Sequence, residues 1–223
     1  TVYRISINMV LINVIIKTIF MISGGFVTDL SVDPTPCARP AFTAAAVCGS
    51  PFGVLVTNTS GTTLTGASYT IHNDTEGMDV ASGALNLASG ANTTLNLTAA
   101  DDPYDTYTIA INNGFVNVLS QTLTPCARPA FEVVQTCASP LVFTVRNIGG
   151  QMYTTANYTI TNLTDGGAVG NGTGTISGLA PNATQTITLT AADDPYDAYR
   201  VEISGGFVTA FSADPIPCAR PAF

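Results

Sequence analysis

Apolar and polar residues alternate along much of this chain. In "PLVFTVRN" (140–147), Leu141, Phe143 and Val145 fall on one side of an extended strand, and "ANYTITN" (156–162) does the same with Tyr158 and Ile160. "TQTITLTA" places Ile187 and Leu189 together, and "AYRVEIS" places Tyr199, Val201 and Ile203 together. A period of two marks a strand with one face buried. Clusters of Gly, Asn, Asp and Pro break these runs every 8–14 residues, and no stretch sustains the 3.6-residue period of a helix. About seven short strands with such turns predict an all-β fold, an antiparallel β-sandwich.

The pattern is written more than once. "GGFVTDLSVDPTPCARPAF" at 24–42 matches "NGFVNVLSQTLTPCARPAF" at 113–131 and "GGFVTAFSADPIPCARPAF" at 205–223. "TAADDPYD" at 98–105 recurs at 190–197. The offset is 89 residues early and 92 later, so a three-residue insertion is expected in "DGGAVGNGTG" at 165–174. A unit near 90 residues exceeds the solenoid range and suits one small domain. The predicted organisation is a partial N-terminal unit with a β-extension at 1–36, one sandwich at 37–125 and a second at 126–223.

Composition narrows the partners. The chain has 223 residues, 46% of them apolar and 10% charged, with 7 Lys+Arg against 15 Asp+Glu and a net charge of −8. No basic stripe is present to displace counterions from phosphates, so nucleic acid is excluded as a partner. The pattern Asn-X-Ser/Thr occurs at Asn58, Asn73, Asn92, Asn96, Asn157, Asn162, Asn171 and Asn182. Threonine-rich strands generate such sequons by chance, but eight in one stretch predict covalent glycans on an exported protein at the cell surface.

Particular residues sharpen the fold. "DDPYDTYTIAIN" and "DDPYDAYRVEIS" each carry an acidic turn, then Asp-X-Tyr entering a strand. This resembles the tyrosine corner of immunoglobulin-like sandwiches, with Tyr107 and Tyr199 at the corner. "FGVLVTNTSGTTLTGASYTIHN" carries V-T-N followed by T-S-G, close to a V-x-N-x-G second strand with one residue added. Over 43–217 the chain looks like tandem bacterial immunoglobulin-like modules, including the CARDB-like repeats of surface proteins. The resemblance implies display, adhesion or spacing, and rings buried at the corner with hydroxyls returned to backbone.

Five cysteines need partners in an exported protein: Cys37, Cys48, Cys126, Cys137 and Cys218. One scheme joins Cys37–Cys48 and Cys126–Cys137, and requires "ARPAFTAAAV" to double back. The other joins Cys48–Cys126 and Cys137–Cys218. In an immunoglobulin-like sandwich the first strand runs beside the last and both end at one pole, which favours the second scheme and leaves Cys37 over.

The leading segment departs from the rest. "TVYRISINM" alternates, with Tyr3, Ile5, Ile7 and Met9 on one side, and Leu11 follows. "KTIFMIS" aligns with "AYRVEIS", yet Ile19 and Met21 stand where Arg200 and Glu202 stand, beside Phe20 and Ile22. Both faces are therefore apolar, and such a ribbon needs shelter from another sheet. A membrane anchor or leftover signal peptide is one fate. It is disfavoured because Val10–Ile22 is short and holds Asn13 and Lys17, so no membrane span is expected. A fragmentary or mis-assigned stretch is a second. Insertion into a neighbouring subunit is the favoured third, in a head-to-tail homo-oligomer that closes or propagates as a helical polymer. The arrangement resembles the donor-strand filaments of bacterial pili, with residues 1–22 as donor.

Catalytic chemistry finds little support. His72 is the one histidine, there is no Cys-X-X-Cys, and no Gly-rich phosphate loop follows a strand. The turn acids Asp101, Asp102, Asp105, Asp193, Asp194 and Asp197 could offer oxygens to Ca²⁺, but Asp beside Pro is ordinary turn chemistry. No metal, cofactor or enzyme activity is expected. Two functions remain: a structural subunit of a glycan-coated extracellular filament or surface layer, or a piece of a multi-domain adhesin or stalk whose repeats bind a ligand without polymerising.

Overall fold

The computed structural model describes residues 20–24, 27–32, 41–112, 119–190 and 192–222. The chain divides into two compact units, Thr1–Ala38 and Arg39–Phe223. Every regular element among the described residues is a strand, and no helix there is long and apolar enough to cross a membrane.

In the first unit, β1 (Phe20–Gly24) pairs antiparallel with β2 (Val27–Val32), matching Phe20 to Val32 and Ile22 to Leu30. Phe20, Met21 and Ile22 thus lie in a hairpin of their own chain. Tyr3, Ile5, Ile7, Met9, Leu11, Ile19 and Cys37 lie outside the described residues.

The second unit contains two sandwiches. The first comprises β3 (Phe42–Val47), β4 (Gly53–Asn58), β5 (Leu64–Asn73), β6 (Met78–Leu87), β7 (Asn92–Asn96), β8 (Tyr107–Asn112) and β9 (Leu119–Thr122). One sheet orders β3-β4-β7 and the other β6-β5-β8-β9, all antiparallel. The second sandwich repeats this with β10 (Phe131–Thr136), β11 (Val142–Asn147), β12 (Ala156–Asn162), β13 (Gly167–Ile176), β14 (Thr184–Thr188), β15 (Tyr199–Ser204) and β16 (Phe211–Ala213). Its sheets order β10-β11-β14 and β13-β12-β15-β16.

Alternation produces the cores. Val54 and Val56 on β4, Ile109 and Ile111 on β8, and Phe52 and Ile71 fill the first. Phe143 and Val145 on β11, Val201 and Ile203 on β15, and Ile160 fill the second. Each such side chain contributes about 2 kcal/mol on leaving water. Disulfides tie Cys48 to Cys126 and Cys137 to Cys218, with Cα–Cα distances of 5.9 and 5.7 Å. Each joins the end of a sandwich's first strand to the segment after its last. In the first sandwich the Gln121 amide also bridges the two sheets. It accepts from Ala44 N at 2.8 Å and donates to Ala44 O at 2.7 Å.

Sheet register locates the extra residues of the second sandwich. By pairing, Ala168 corresponds to Asp79, an offset of 89, whereas Ile176 corresponds to Leu85, an offset of 91. Leu179 then holds the place of Leu87, at 92. Two of the three residues sit in the β13 bulge, where Asn171 takes φ 60°. The third follows Ile176, outside the glycine-rich stretch where all three were expected. A bulge accommodates added residues without turning the strand's apolar face outward.

The hairpin registers also repeat. Val201 pairs with Ala213 and Ile203 with Phe211, and Ile109 pairs with Gln121 and Ile111 with Leu119. Phe20–Val32 and Ile22–Leu30 are the same rungs. The β1–β2 hairpin therefore has the register of the last hairpin of a sandwich.

Candidate structural site: an arginine clamp between sandwiches

The tyrosine corner is the first part of the site. Tyr107 and Tyr199 have wholly buried rings. The Tyr107 hydroxyl donates to Asp102 O and the Tyr199 hydroxyl to Asp194 O, both at 2.7 Å. Phe52 stacks on Tyr107 with centroids 4.9 Å apart, and Phe143 meets Tyr199 edge-on at 5.7 Å. Burial pushes both phenols up, Tyr199 to about 12, and the nearby carboxylates, Asp105 and Asp197 foremost, add to it.

The corner fixes an acidic turn. Asp101 Oδ2 accepts from Thr98 N and its hydroxyl. Asp102 Oδ1 accepts from Tyr104 N at 2.9 Å. Asp105 is buried and accepts from Asn73 Nδ2 at 3.0 Å. A buried carboxylate also needs an opposite charge, and Arg128 supplies it. Arg128 Nη2 lies 2.8 Å from Asp102 Oδ2 and 3.0 Å from Asp105 Oδ1. Its guanidinium carbon stands 5.4 Å from the centroid of the Tyr104 ring, within cation–π range. These acids are thus occupied by turn bonds and by arginine. Among the described residues no group of three or more His, Cys, Asp or Glu is placed to hold a metal ion.

Arg128 also reaches the second sandwich. Its Nη1 donates to Phe207 O at 2.8 Å. The Tyr104 hydroxyl donates to Gln151 O at 2.9 Å and accepts from Tyr153 N at 3.1 Å, and burial raises its pKa. Tyr153 and Phe207 belong to the second sandwich, yet both pack against the core of the first. The linker is bonded along its length: Ala130 N donates to Asn147 Oδ1, Ile148 N to Ala130 O and Gly150 N to Arg128 O. Gly150 is required here, because a Cβ would run into the backbone of Ala127. Gly206, at φ 61°, is likewise pressed against the Thr155 carbonyl.

The linker arginine was not among the residues the sequence brought forward. Its signal was present: arginine is rare in this chain, yet it stands in every copy of "PCARPAF" while the acids recur in every "DDPYD".

Three of the expected glycan sites are buried asparagines. Asn58 is 0% exposed, and its Nδ2 donates to Thr62 O, Leu87 O and Ala88 O while its Oδ1 accepts from Ser60. Asn73 is 1% and Asn162 7% exposed. Their Nδ2 atoms donate to Asp105 and Asp197, and their Oδ1 atoms cap the turns at Thr75 and Thr164. A glycan is attached through that nitrogen, and in all three it faces the protein interior. Asn92, Asn96, Asn157, Asn171 and Asn182 are exposed. His72 Nδ1 lies 2.7 Å from Asp79 Oδ1 across the β5–β6 pair, at an exposed surface position.

The fold and site define a tandem immunoglobulin-like β-sandwich protein with a bonded junction. No family model matches the chain, and no curated protein matches it. Among solved structures the chain is similar to a biofilm-associated protein, in its BSP domain, at 14% identity and a TM-score of 0.26. That likeness covers 82% of this chain and 30% of the other.

Proposed function

We propose that this chain is an extracellular structural protein, a subunit of a filament or surface layer built from immunoglobulin-like units held in line. The observation that carries this reading is the Arg128 clamp. Three hydrogen bonds, from Arg128, Tyr104 and Tyr153, cross the boundary, so the second sandwich does not hang from a free linker. A bonded junction suits a protein that bears a shape over distance rather than one that turns over substrate, and the reading is non-enzymatic. Two disulfides support an oxidising, extracellular compartment. In this reading glycans at exposed sequons form the solvated coat, and the apolar leading segment ahead of β1, residues 3–18, enters the sheets of a neighbouring subunit head to tail.

Electron microscopy and sedimentation of the purified full chain test the reading. High-mass linear assemblies are expected, and deletion of residues 1–18, which leaves β1 and β2 in place, should give folded protein that no longer associates. A full chain that stays monomeric while capturing a glycan or a host protein would replace this reading with that of an adhesin or stalk. Assembly undiminished by the deletion would remove the donor role of the leading segment.

A further inference from the structure

The clamp is built twice, and only one copy has a partner among the described residues. Arg220 occupies the place of Arg128 in the repeat. Its Nη2 lies 3.4 Å from Asp194 Oδ2 and 3.9 Å from Asp197 Oδ1. Its guanidinium carbon stands 5.7 Å from the Tyr196 ring centroid, as Arg128 stands over Tyr104. The turn beneath is the same, with Asp194 Oδ1 accepting from Tyr196 N at 2.8 Å and Asp197 held by Asn162. The differences lie on the side that meets the second sandwich in the first copy. Arg128 is 37% exposed and Arg220 68%. Tyr104 is buried with its hydroxyl bonded across the boundary, whereas the Tyr196 hydroxyl has no partner among the described residues and its ring is half-buried.

We propose that the pole bearing Tyr196 and Arg220 docks a second copy of this chain, and that the segment it receives is the Gly24–Gly25–Phe26–Val27 connection of that copy. This proposal rests on the head-to-tail reading above and names its contact surface. In the internal junction Arg128 binds the carbonyl of Phe207, within "GGFV" at 205–208 on the link from β15 to β16. The same four letters stand at 24–27, on the link from β1 to β2. The two hairpins also share their rungs. The donor fork of Arg220 therefore matches a sequence already seated on this kind of pole within the chain. Phe26 corresponds to Phe207, whose ring packs against the preceding core.

Association of the full chain is read by sedimentation velocity. R220A should weaken it by about tenfold or more, as loss of a central interface arginine does. F26S damages the other face. R220A and F26S chains should each fail to form long assemblies alone, yet their mixture should give a capped dimer, because R220A retains a sound head and F26S a sound tail. Unchanged melting temperatures show that the variants fold. A monomeric wild type overturns the filament reading and this interface together. A wild type that assembles while R220A assembles equally well overturns this interface alone. Assembly lost in R220A but untouched in F26S overturns the assigned segment.

Discussion

The Tyr104 hydroxyl and the Gln151 carbonyl meet at 2.9 Å across the boundary between two sandwiches. Tyr104 belongs to the turn that Tyr107 pins, so the corner that closes one unit also positions the group that holds the next. Fold stability and junction geometry are therefore linked, and perturbing one should register in the other.

Replacing Arg128 by alanine leaves Asp105 buried with only Asn73 beside it. The first sandwich should lose about 3 kcal/mol, the range for removing one member of a buried pair. The junction should also loosen, seen as a broadened distance distribution in small-angle X-ray scattering. R220A should change stability far less, because Arg220 is mostly exposed.

Tyr107→Phe and Tyr199→Phe each remove a buried hydroxyl and leave Asp102 O and Asp194 O with only the backbone N–H of Asp105 and Asp197. Each should cost about 1–2 kcal/mol, measured as a lower denaturant midpoint with an unchanged slope.

Alkali should act through the same rings. Folding raises the Tyr199 phenol to about 12, above its usual value near 10, so the unfolded chain ionises first. The stabilisation is complete below about pH 10 and is lost as pH climbs from there through the folded value. The melting temperature should fall across that window, and the part of the phenolate absorbance that Y199F removes should appear with unfolding rather than before it. In Y199F the decline should be shallower.

Glycopeptide mass spectrometry should find carbohydrate only among Asn92, Asn96, Asn157, Asn171 and Asn182. Occupancy at Asn58, Asn73 or Asn162 would contradict their burial. Asn58→Ala should instead destabilise the first sandwich by roughly 3 kcal/mol, because it removes three buried hydrogen bonds to backbone carbonyls and the acceptor of Ser60.

Much of the fold was legible because strand alternation is a one-dimensional signal. Leu141, Phe143 and Val145 could face a core only as an extended strand, and the tyrosine corner is a local pattern of five or six residues. The cystine pairs followed from topology, since first and last strands end together. Sequon spacing has a second physical use. Asn-X-Thr is also the spacing by which an Asn side chain caps a turn, with Asn73 Oδ1 accepting from Thr75 N, and spacing alone does not tell the uses apart. Asn147, which holds the place of Asn58 without being a sequon, shows the structural role unmixed. The clamp was hidden because Arg128 and Asp102 are distant in sequence and meet only when the linker crosses the acidic pole.

The cystine at Cys48 and Cys126 has a mechanical consequence. A pull applied between Phe42 and Arg128 runs along β3 to Cys48 and then crosses one sulfur–sulfur bond to Cys126. Their sequence separation of 78 is bypassed, and with it about 260 Å of slack that an unbridged loop would pay out under load. With its bridges intact the molecule should behave under tension as a tether of nearly constant length, and reducing agent should convert it into a spring.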